Sequence, residues 1–144
     1  MTLKLSQSNK NEMFRHAEEM YPEECCGFIF GRDGMTRRAT GITRVANVRK
    51  GNRSSRFLID PSDYRKAEAH ALEYDLELLG VYHSHPDHPA MPSEHDLKSA
   101  LPWFSYIIVS VFDGSATDLR SWRLGEEWKF KEETVATDSI SSDI

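Results

Sequence analysis

The sequence has little cysteine: its only two residues of this type, Cys25 and Cys26, are adjacent. Neighbouring cysteines seldom reach disulfide geometry because their side chains diverge. A disulfide framework is therefore excluded, and a reducing compartment fits. The sequence also lacks an apolar stretch of about 20 residues that could span a bilayer, and residues 1–5 lack the apolar core of a signal peptide. We therefore expect a cytosolic protein with no membrane partner.

Concentrated positive charge is also missing. Eighteen basic and 23 acidic residues give a formal charge of -5, and no basic run is long enough to neutralise a series of phosphates. Nucleic acid is therefore not an expected partner. The length of 144 residues and the hydrophobic share of 39% are ordinary for one globular domain. Since no repeat or linker divides the chain, we predict a single domain over residues 1–136 and a disordered Ser/Asp-rich tail over residues 137–144.

Hydrophobic patterns predict an α/β fold with one mixed sheet flanked by helices. Strands are predicted at 2–5, 25–30, within 36–48, and at 57–59, 78–82, 106–112, 119–124 and 128–131; helices are predicted at 8–21, at 60–76 and from 93 onward. Asp33-Gly34 is a hairpin turn signal. Asp60 is suited to cap a helix whose first residue is Pro61. Residues 86–92 are rich in proline and are predicted to form a loop.

Potential metal ligands follow the predicted strand at 78–82. Side chains two apart on a strand point to the same face, so His83 and His85 can both offer an imidazole to one ion. The loop that follows lets the chain turn back, so Asp96, in the first turn of the next helix, can complete the set. Two histidines and one carboxylate leave one tetrahedral position open, which is typical of a catalytic zinc site. A water molecule in that position would have its pKa lowered to about 7.

A hydrolytic zinc site also needs a carboxylate that takes the proton of the water and passes it to the leaving amine. Glu24 is a candidate because it precedes an apolar run, where burial would raise its pKa; on these grounds Glu23 remains a close alternative. Ser93 could donate a hydrogen bond to the developing oxyanion. Ser93 and Asp96 have another possible role, since Ser-x-x-acid is also the pattern with which a helix caps its first turn.

Three other features have simpler interpretations. Cys25 and Cys26 lie in an apolar run, where cysteines are buried and unreactive, so a cysteine nucleophile is not expected. His88 and His95 lie near the candidate ligands, and we interpret them as neighbouring or surface residues. The loop at 49–56 carries several cations that could face an acidic partner, although such loops are usually only solvated.

The order and spacing of the candidate residues resemble the JAMM (MPN+) metalloprotease motif. The motif positions are occupied by Glu24, His83-Ser84-His85, Ser93 and Asp96. The glutamate of the motif lies three residues before a glycine, here Gly27, so the resemblance selects Glu24 over Glu23. The similarity covers roughly residues 3–122 and is to the short prokaryotic branch of the family.

The resemblance implies a role for each residue and a fold. It implies His83, His85 and Asp96 as zinc ligands, Glu24 as general acid and base, and Ser93 as oxyanion stabiliser. It also implies a curved mixed β-sheet packed between helices, similar to the architecture of cytidine deaminases. The metal would lie at the edge of the central sheet.

The resemblance also implies a substrate class. Eukaryotic members cleave isopeptide bonds after the Gly-Gly end of ubiquitin-like proteins, and prokaryotic members act on sulfur-carrier proteins of the ThiS/MoaD type, some of them by releasing cysteine. The expected function is therefore a zinc metallopeptidase that cleaves a peptide or isopeptide bond after the Gly-Gly of such a carrier. One alternative is a non-catalytic MPN-type binding module. Another is a hydrolase of small amides or a deaminase, but the His-x-Glu and paired cysteine ligands of zinc deaminases are missing.

Overall fold

The computed structural model describes residues 1–138. In chain order the elements are β1 (Thr2–Ser6), α1 (Gln7–Met20), β2 (Cys26–Asp33), β3 (Arg37–Val45), α2 (Pro61–Glu73), β4 (Glu77–Pro86), α3 (Glu94–Lys98), β5 (Ser105–Phe112), β6 (Ser115–Leu124) and β7 (Phe130–Asp138). A single turn of 3-10 helix precedes β7. None of the helices described for this range combines the length and the apolar character needed to cross a bilayer.

The seven strands form one mixed sheet that closes on itself in the order β1-β3-β2-β4-β5-β6-β7, with β7 paired to β1. Strand β1 is parallel to both β3 and β7, and β4 is parallel to β5, while the other neighbours are antiparallel. The predicted mixed sheet with flanking helices is therefore confirmed. Its closure was not predicted, because it depends on pairing between the first and last strands of the chain.

Helices α1 and α2 cover opposite faces of the sheet around β2. Successive side chains of a strand point to opposite faces. Ile29 of β2 accordingly packs with Met13 of α1, whereas Phe28 and Phe30 pack with Ala67 of α2. Asp60 caps α2 as predicted, because its side chain accepts a hydrogen bond from the backbone N–H of Ser62. The two apolar clusters hold β2 and its neighbour β4 rigidly between them.

The strand predicted at residues 57–59 does not form. This segment is held by the side chain of Asn47, whose Oδ1 accepts a hydrogen bond from the Leu58 backbone N–H at 3.1 Å. The Leu58 carbonyl accepts one further backbone bond, from Val48. The apolar side chains of Phe57 and Ile59 lie outside the sheet and pack with the apolar cluster that contains Phe28 and Ala67. Burial of these two side chains explains the apolar pattern that suggested a strand.

The end of the chain also differs from the prediction. Trp128 lies in the 3-10 turn with a positive φ of 54°, so the last strand begins at Phe130 rather than at residue 128. Strand β7 then continues into the first two residues of the predicted tail, and its Thr137 pairs with Leu5 of β1. The rest of the predicted tail, residues 139–144, lies outside the described residues.

Close packing of β4 against β5 gives the first testable prediction. A Cβ atom at Gly80 would lie 1.8 Å from the backbone oxygen of Ser105, and backbone cannot move aside as a flexible side chain can. We expect Gly80→Ala to lower the free energy of unfolding by about 3 kcal/mol or to prevent folding. Gly41→Ala is the matched control, because nothing lies within 4 Å of its added Cβ, and its cost should stay near about 0.5 kcal/mol. Urea denaturation measures both, and equal stability of the two variants would contradict the packing described.

Candidate metal centre

Strand β4 carries both histidines into the interior of the protein. It lies between β2 and β5, with His83 opposite Cys26 on one side and Ile108 on the other. His83 and His85 are two residues apart on this strand and therefore share a face, as predicted. The two residues are 1% and 8% exposed. The histidines are thus fixed by a central strand rather than by a mobile loop.

The third candidate ligand is oriented by the short helix α3. Ser93 is the N-cap of this helix, and its Oγ accepts a hydrogen bond from the Asp96 backbone N–H at 3.1 Å. In return, Asp96 Oδ2 accepts a hydrogen bond from the Ser93 backbone N–H at 2.8 Å. The capping role considered from the sequence is therefore real. It is also compatible with metal binding, because the same carboxylate faces the two histidines.

The three side chains converge on one point. His83 Nε2 and His85 Nε2 are 3.2 Å apart. Each of these atoms lies 3.3 Å from an oxygen of Asp96. Four ligands arranged tetrahedrally around zinc at about 2.0–2.1 Å are separated from one another by about 3.3 Å. The two nitrogens face different oxygens of the same carboxylate, and these spacings are close to those around a tetrahedral metal ion, so the three residues form a group that could hold one.

The surroundings of the ligands keep their donor atoms available. The Nδ1 atom of His85 lies 2.9 Å from the Pro89 carbonyl and donates to it, which leaves the Nε2 lone pair free for a metal. The His83 ring is instead held by stacking on Phe57, with ring centroids 4.6 Å apart. Burial raises the pKa of Asp96, but the neighbouring imidazoles outweigh burial and hold this pKa well below its usual range. Asp96 is therefore a carboxylate at neutral pH.

Glu24 lies beside the candidate ligands but outside their group. Its side chain is 4% exposed, and it lines a cavity of about 290 Å³ together with His85 and Ser93. Burial raises the pKa of Glu24, and the charges of His83 and His85 lower it only in part. Glu23, the alternative left open by the residue pattern, instead pairs at the surface with Arg53 at 3.2 Å. The structure therefore brings Glu24, and not Glu23, to the candidate metal centre.

One structural side chain at the site, Ser84, was not predicted from the sequence. Ser84, which lies between His83 and His85, is fully buried, and its Oγ accepts a hydrogen bond from the Cys25 backbone N–H at 2.8 Å. The segment that carries Glu24 is thereby fixed to the strand that carries the ligands. The position of a hydroxyl between two candidate ligands was the available signal for this role.

The other cysteines and histidines considered from the sequence lie outside the group of candidate ligands. Burial raises the pKa of the Cys25 and Cys26 thiols to about 12 in each case, so neither is a thiolate at neutral pH. Both cysteines are buried, as predicted. His88 lines the cavity that contains Glu24, and His95 lines a smaller cavity beside His83. Neither belongs to the metal-binding group.

Comparison with known proteins places this geometry in context. The family described as "Prokaryotic homologs of the JAB domain" matches residues 6–125, a range that includes all five candidate site residues. A desampylase from Pyrococcus furiosus is 28% identical over 116 residues, which cover 80% of this chain and 76% of the relative. A CysO-cysteine peptidase from Mycobacterium tuberculosis is 32% identical over 116 residues, which cover 79% of this chain and 77% of the relative. The solution structure of a protein from Desulfitobacterium hafniense matches with a TM-score of 0.83 and 26% identity, covering 97% of this chain and 95% of that one.

Proposed function

Because this chain belongs to the family of prokaryotic homologs of the JAB domain, we propose that it is a zinc metallopeptidase of ubiquitin-like sulfur carriers. It hydrolyses the peptide or isopeptide bond that follows the C-terminal Gly-Gly of a carrier of the ThiS/MoaD type. One observation carries the proposal: the convergence of His83, His85 and Asp96 beside the buried Glu24. The free, buried cysteines support a cytoplasmic location.

Zinc is the metal we assign to this site. Two imidazole nitrogens and one carboxylate oxygen are donors that zinc accepts in catalytic sites with one open position. A zinc ion held by His83, His85 and Asp96 would supply Lewis acidity and would bring the pKa of a water molecule close to neutrality. The buried, packed rings of the two histidines exclude other water from the ligand side of the site.

Glu24 moves the proton in this reaction. Its carboxylate takes a proton from the attacking water while the water oxygen forms a bond to the carbonyl carbon of the last glycine. Glu24 then gives this proton to the leaving nitrogen, and the C–N bond breaks. The products are a carrier that ends in a Gly-Gly carboxylate and a free amine. A pKa raised by burial suits a group that must both accept and release a proton near neutral pH.

Ser93 stabilises the negative oxygen formed during attack. Its Oγ already accepts a bond from Asp96, so the hydroxyl proton is available to donate toward the cavity that Ser93 lines. We expect Ser93→Ala to lower kcat by about 100- to 1,000-fold. It should also lower the free energy of unfolding by about 1 kcal/mol, because the helix cap is lost.

Two further substitutions separate the catalytic role of Ser93 from its capping role. Steady-state kinetics measures the first role, and thermal unfolding measures the second. Ser93→Gly retains most of the capping stability but has no hydroxyl, so it should be as inactive as Ser93→Ala. Ser93→Thr keeps the hydroxyl and should keep activity. Full activity of Ser93→Gly would show that Ser93 only caps α3.

The proposed function is tested by mass spectrometry of carrier proteins incubated with the enzyme. One carrier ends in Gly-Gly-Cys, and a second is joined through its Gly-Gly to a lysine side chain. The name of the CysO-cysteine peptidase relative favours the first substrate. We expect the carrier mass to fall to that of a chain ending at Gly-Gly. A stable complex without cleavage of either carrier would instead indicate a binding module.

A further inference from the structure

The cavity of about 290 Å³ beside Glu24 is the place where the leaving residue must lie. Glu24 gives its proton to the leaving nitrogen, so that nitrogen and the atoms attached to it occupy the space that Glu24 lines. The second cavity, of about 100 Å³, lies against His83 and Asp96 and is not lined by Glu24. The volume of the larger cavity is just below the range of small-molecule sites, about 300–1,000 Å³. Ser93 also lines this cavity, so the scissile carbonyl shares the space with the leaving group, which suits a small leaving residue.

Arg56 brings a positive charge into the same cavity. Its Nη1 donates a hydrogen bond to the Ser55 carbonyl oxygen at 2.8 Å, and within residues 1–138 its guanidinium forms no ion pair. Arg53, on the same loop, is by contrast paired with Glu23. The charge of Arg56 therefore remains available to an anionic ligand.

The charge of Arg56 acts on groups around the metal site. Burial is the largest cause that raises the pKa of Glu24, and Arg56 opposes it. Burial also lowers the pKa of His95, and Arg56 lowers it further. Arg56 and Glu24 line the same cavity, so an anion bound there lies near the guanidinium of Arg56.

We propose that Arg56 binds the free α-carboxylate of a single residue attached after the Gly-Gly of the carrier. In such a residue the carboxylate carbon is only two bonds from the leaving nitrogen, so its binding group must line the same cavity as Glu24. Arginine suits this role because its guanidinium can bind a carboxylate through two parallel hydrogen bonds. Pro89 and Met91 line the rest of the cavity and offer apolar contact to a small side chain.

This inference rests on the proposed function and narrows it to the release of one terminal amino acid. A lysine joined to the carrier through its side chain presents no carboxylate near the leaving nitrogen, because its backbone lies several bonds away. Arg56 would then have no ligand in the cavity. Release of a C-terminal residue, such as cysteine, is therefore favoured over cleavage of protein conjugates.

The test compares one carrier in two forms, ending in Gly-Gly-Cys with either a free carboxylate or a carboxamide. We expect the wild-type protein to cleave the free acid with a kcat/KM about 10- to 100-fold above that of the amide. Arg56→Gln should cleave the free acid more slowly than the wild type does, at about the rate of the amide. Cleavage of the amide should change little, so the preference for the acid disappears. Lys50→Gln is the matched control, because it removes the same charge from the same loop outside the cavity, and it should keep the preference.

Two results would overturn the role of Arg56 while the proposed function stands. One is equal cleavage of acid and amide by the wild-type protein. The other is an equal loss for both substrates in Arg56→Gln, which would show that Arg56 contacts the body of the carrier. If the zinc-loaded wild-type protein cleaves neither form, the proposed function itself is wrong, and this inference falls with it.

Discussion

Replacing Glu24 by glutamine is expected to lower kcat by about 1,000-fold or more and to leave one metal ion bound per chain. The reason is that an amide cannot take the proton of the attacking water, and general acid–base groups contribute about 100- to 10,000-fold to such reactions. The amide has nearly the same volume as the carboxylate, so the buried position of this side chain remains filled. Cleavage assays and metal analysis of the same preparation measure the two effects separately.

Glu23→Gln is the control for this substitution. Glu23 carries the same charge one residue earlier but pairs with Arg53 at the surface. Its replacement should change kcat less than about 2-fold, since surface ion pairs contribute little. A fully active Glu24→Gln protein would remove Glu24 from the mechanism, and an equal loss in Glu23→Gln would show that the effect is not specific to Glu24.

Replacing Asp96 by asparagine is expected to abolish both metal binding and activity while the fold remains. An asparagine oxygen can still accept the hydrogen bond from the Ser93 backbone N–H, so the cap of α3 is retained. The amide has lost the negative charge that a divalent metal requires from this ligand. Protein purified without chelator should therefore contain about one zinc ion per chain for the wild type and almost none for the variant.

Thermal unfolding gives a second measure of the same effect. A ligand present at 100 times its dissociation constant stabilises the folded state by about 2.7 kcal/mol. Added zinc should therefore raise the Tm of the metal-free wild-type protein but not that of Asp96→Asn. Glu94→Gln, in the same turn of α3 but outside the metal-binding group, should respond to zinc as the wild type does. An equal response of Asp96→Asn would exclude Asp96 as a ligand.

The convergence of the three candidate ligands was predictable from the sequence because most of the information for it is local. The spacing of His83 and His85 on a strand and the position of Asp96 after a short loop indicate a shared ion. The position of Glu24 is different. It reaches the ligands only because β2 pairs with β4, which puts Cys26 opposite His83. Neither strand encodes this pairing alone, so family resemblance had to supply it.

The closed sheet and its polar interior were less predictable. A buried network lies where β3, β5, β6 and β7 meet: Arg37 Nε donates to Ser105 Oγ, and the hydroxyls of Ser105 and Ser121 both donate to Glu133 Oε1. In the sequence, Arg37 and Glu133 look like ordinary solvent-exposed charges. Their burial depends on pairing between strands that are far apart in the chain, which no local pattern records.

The most direct test of the central claim is the mass of the carrier product formed in water labelled with ¹⁸O. The wild-type enzyme and a carrier ending in Gly-Gly-Cys are mixed at equal concentrations, and the released carrier is analysed intact. The mechanism predicts a carrier that ends at Gly-Gly and holds one ¹⁸O atom in its new carboxylate, with no product from Glu24→Gln. Cleavage at another bond, or product without the label, would contradict hydrolysis by a water molecule activated at His83, His85, Asp96 and Glu24.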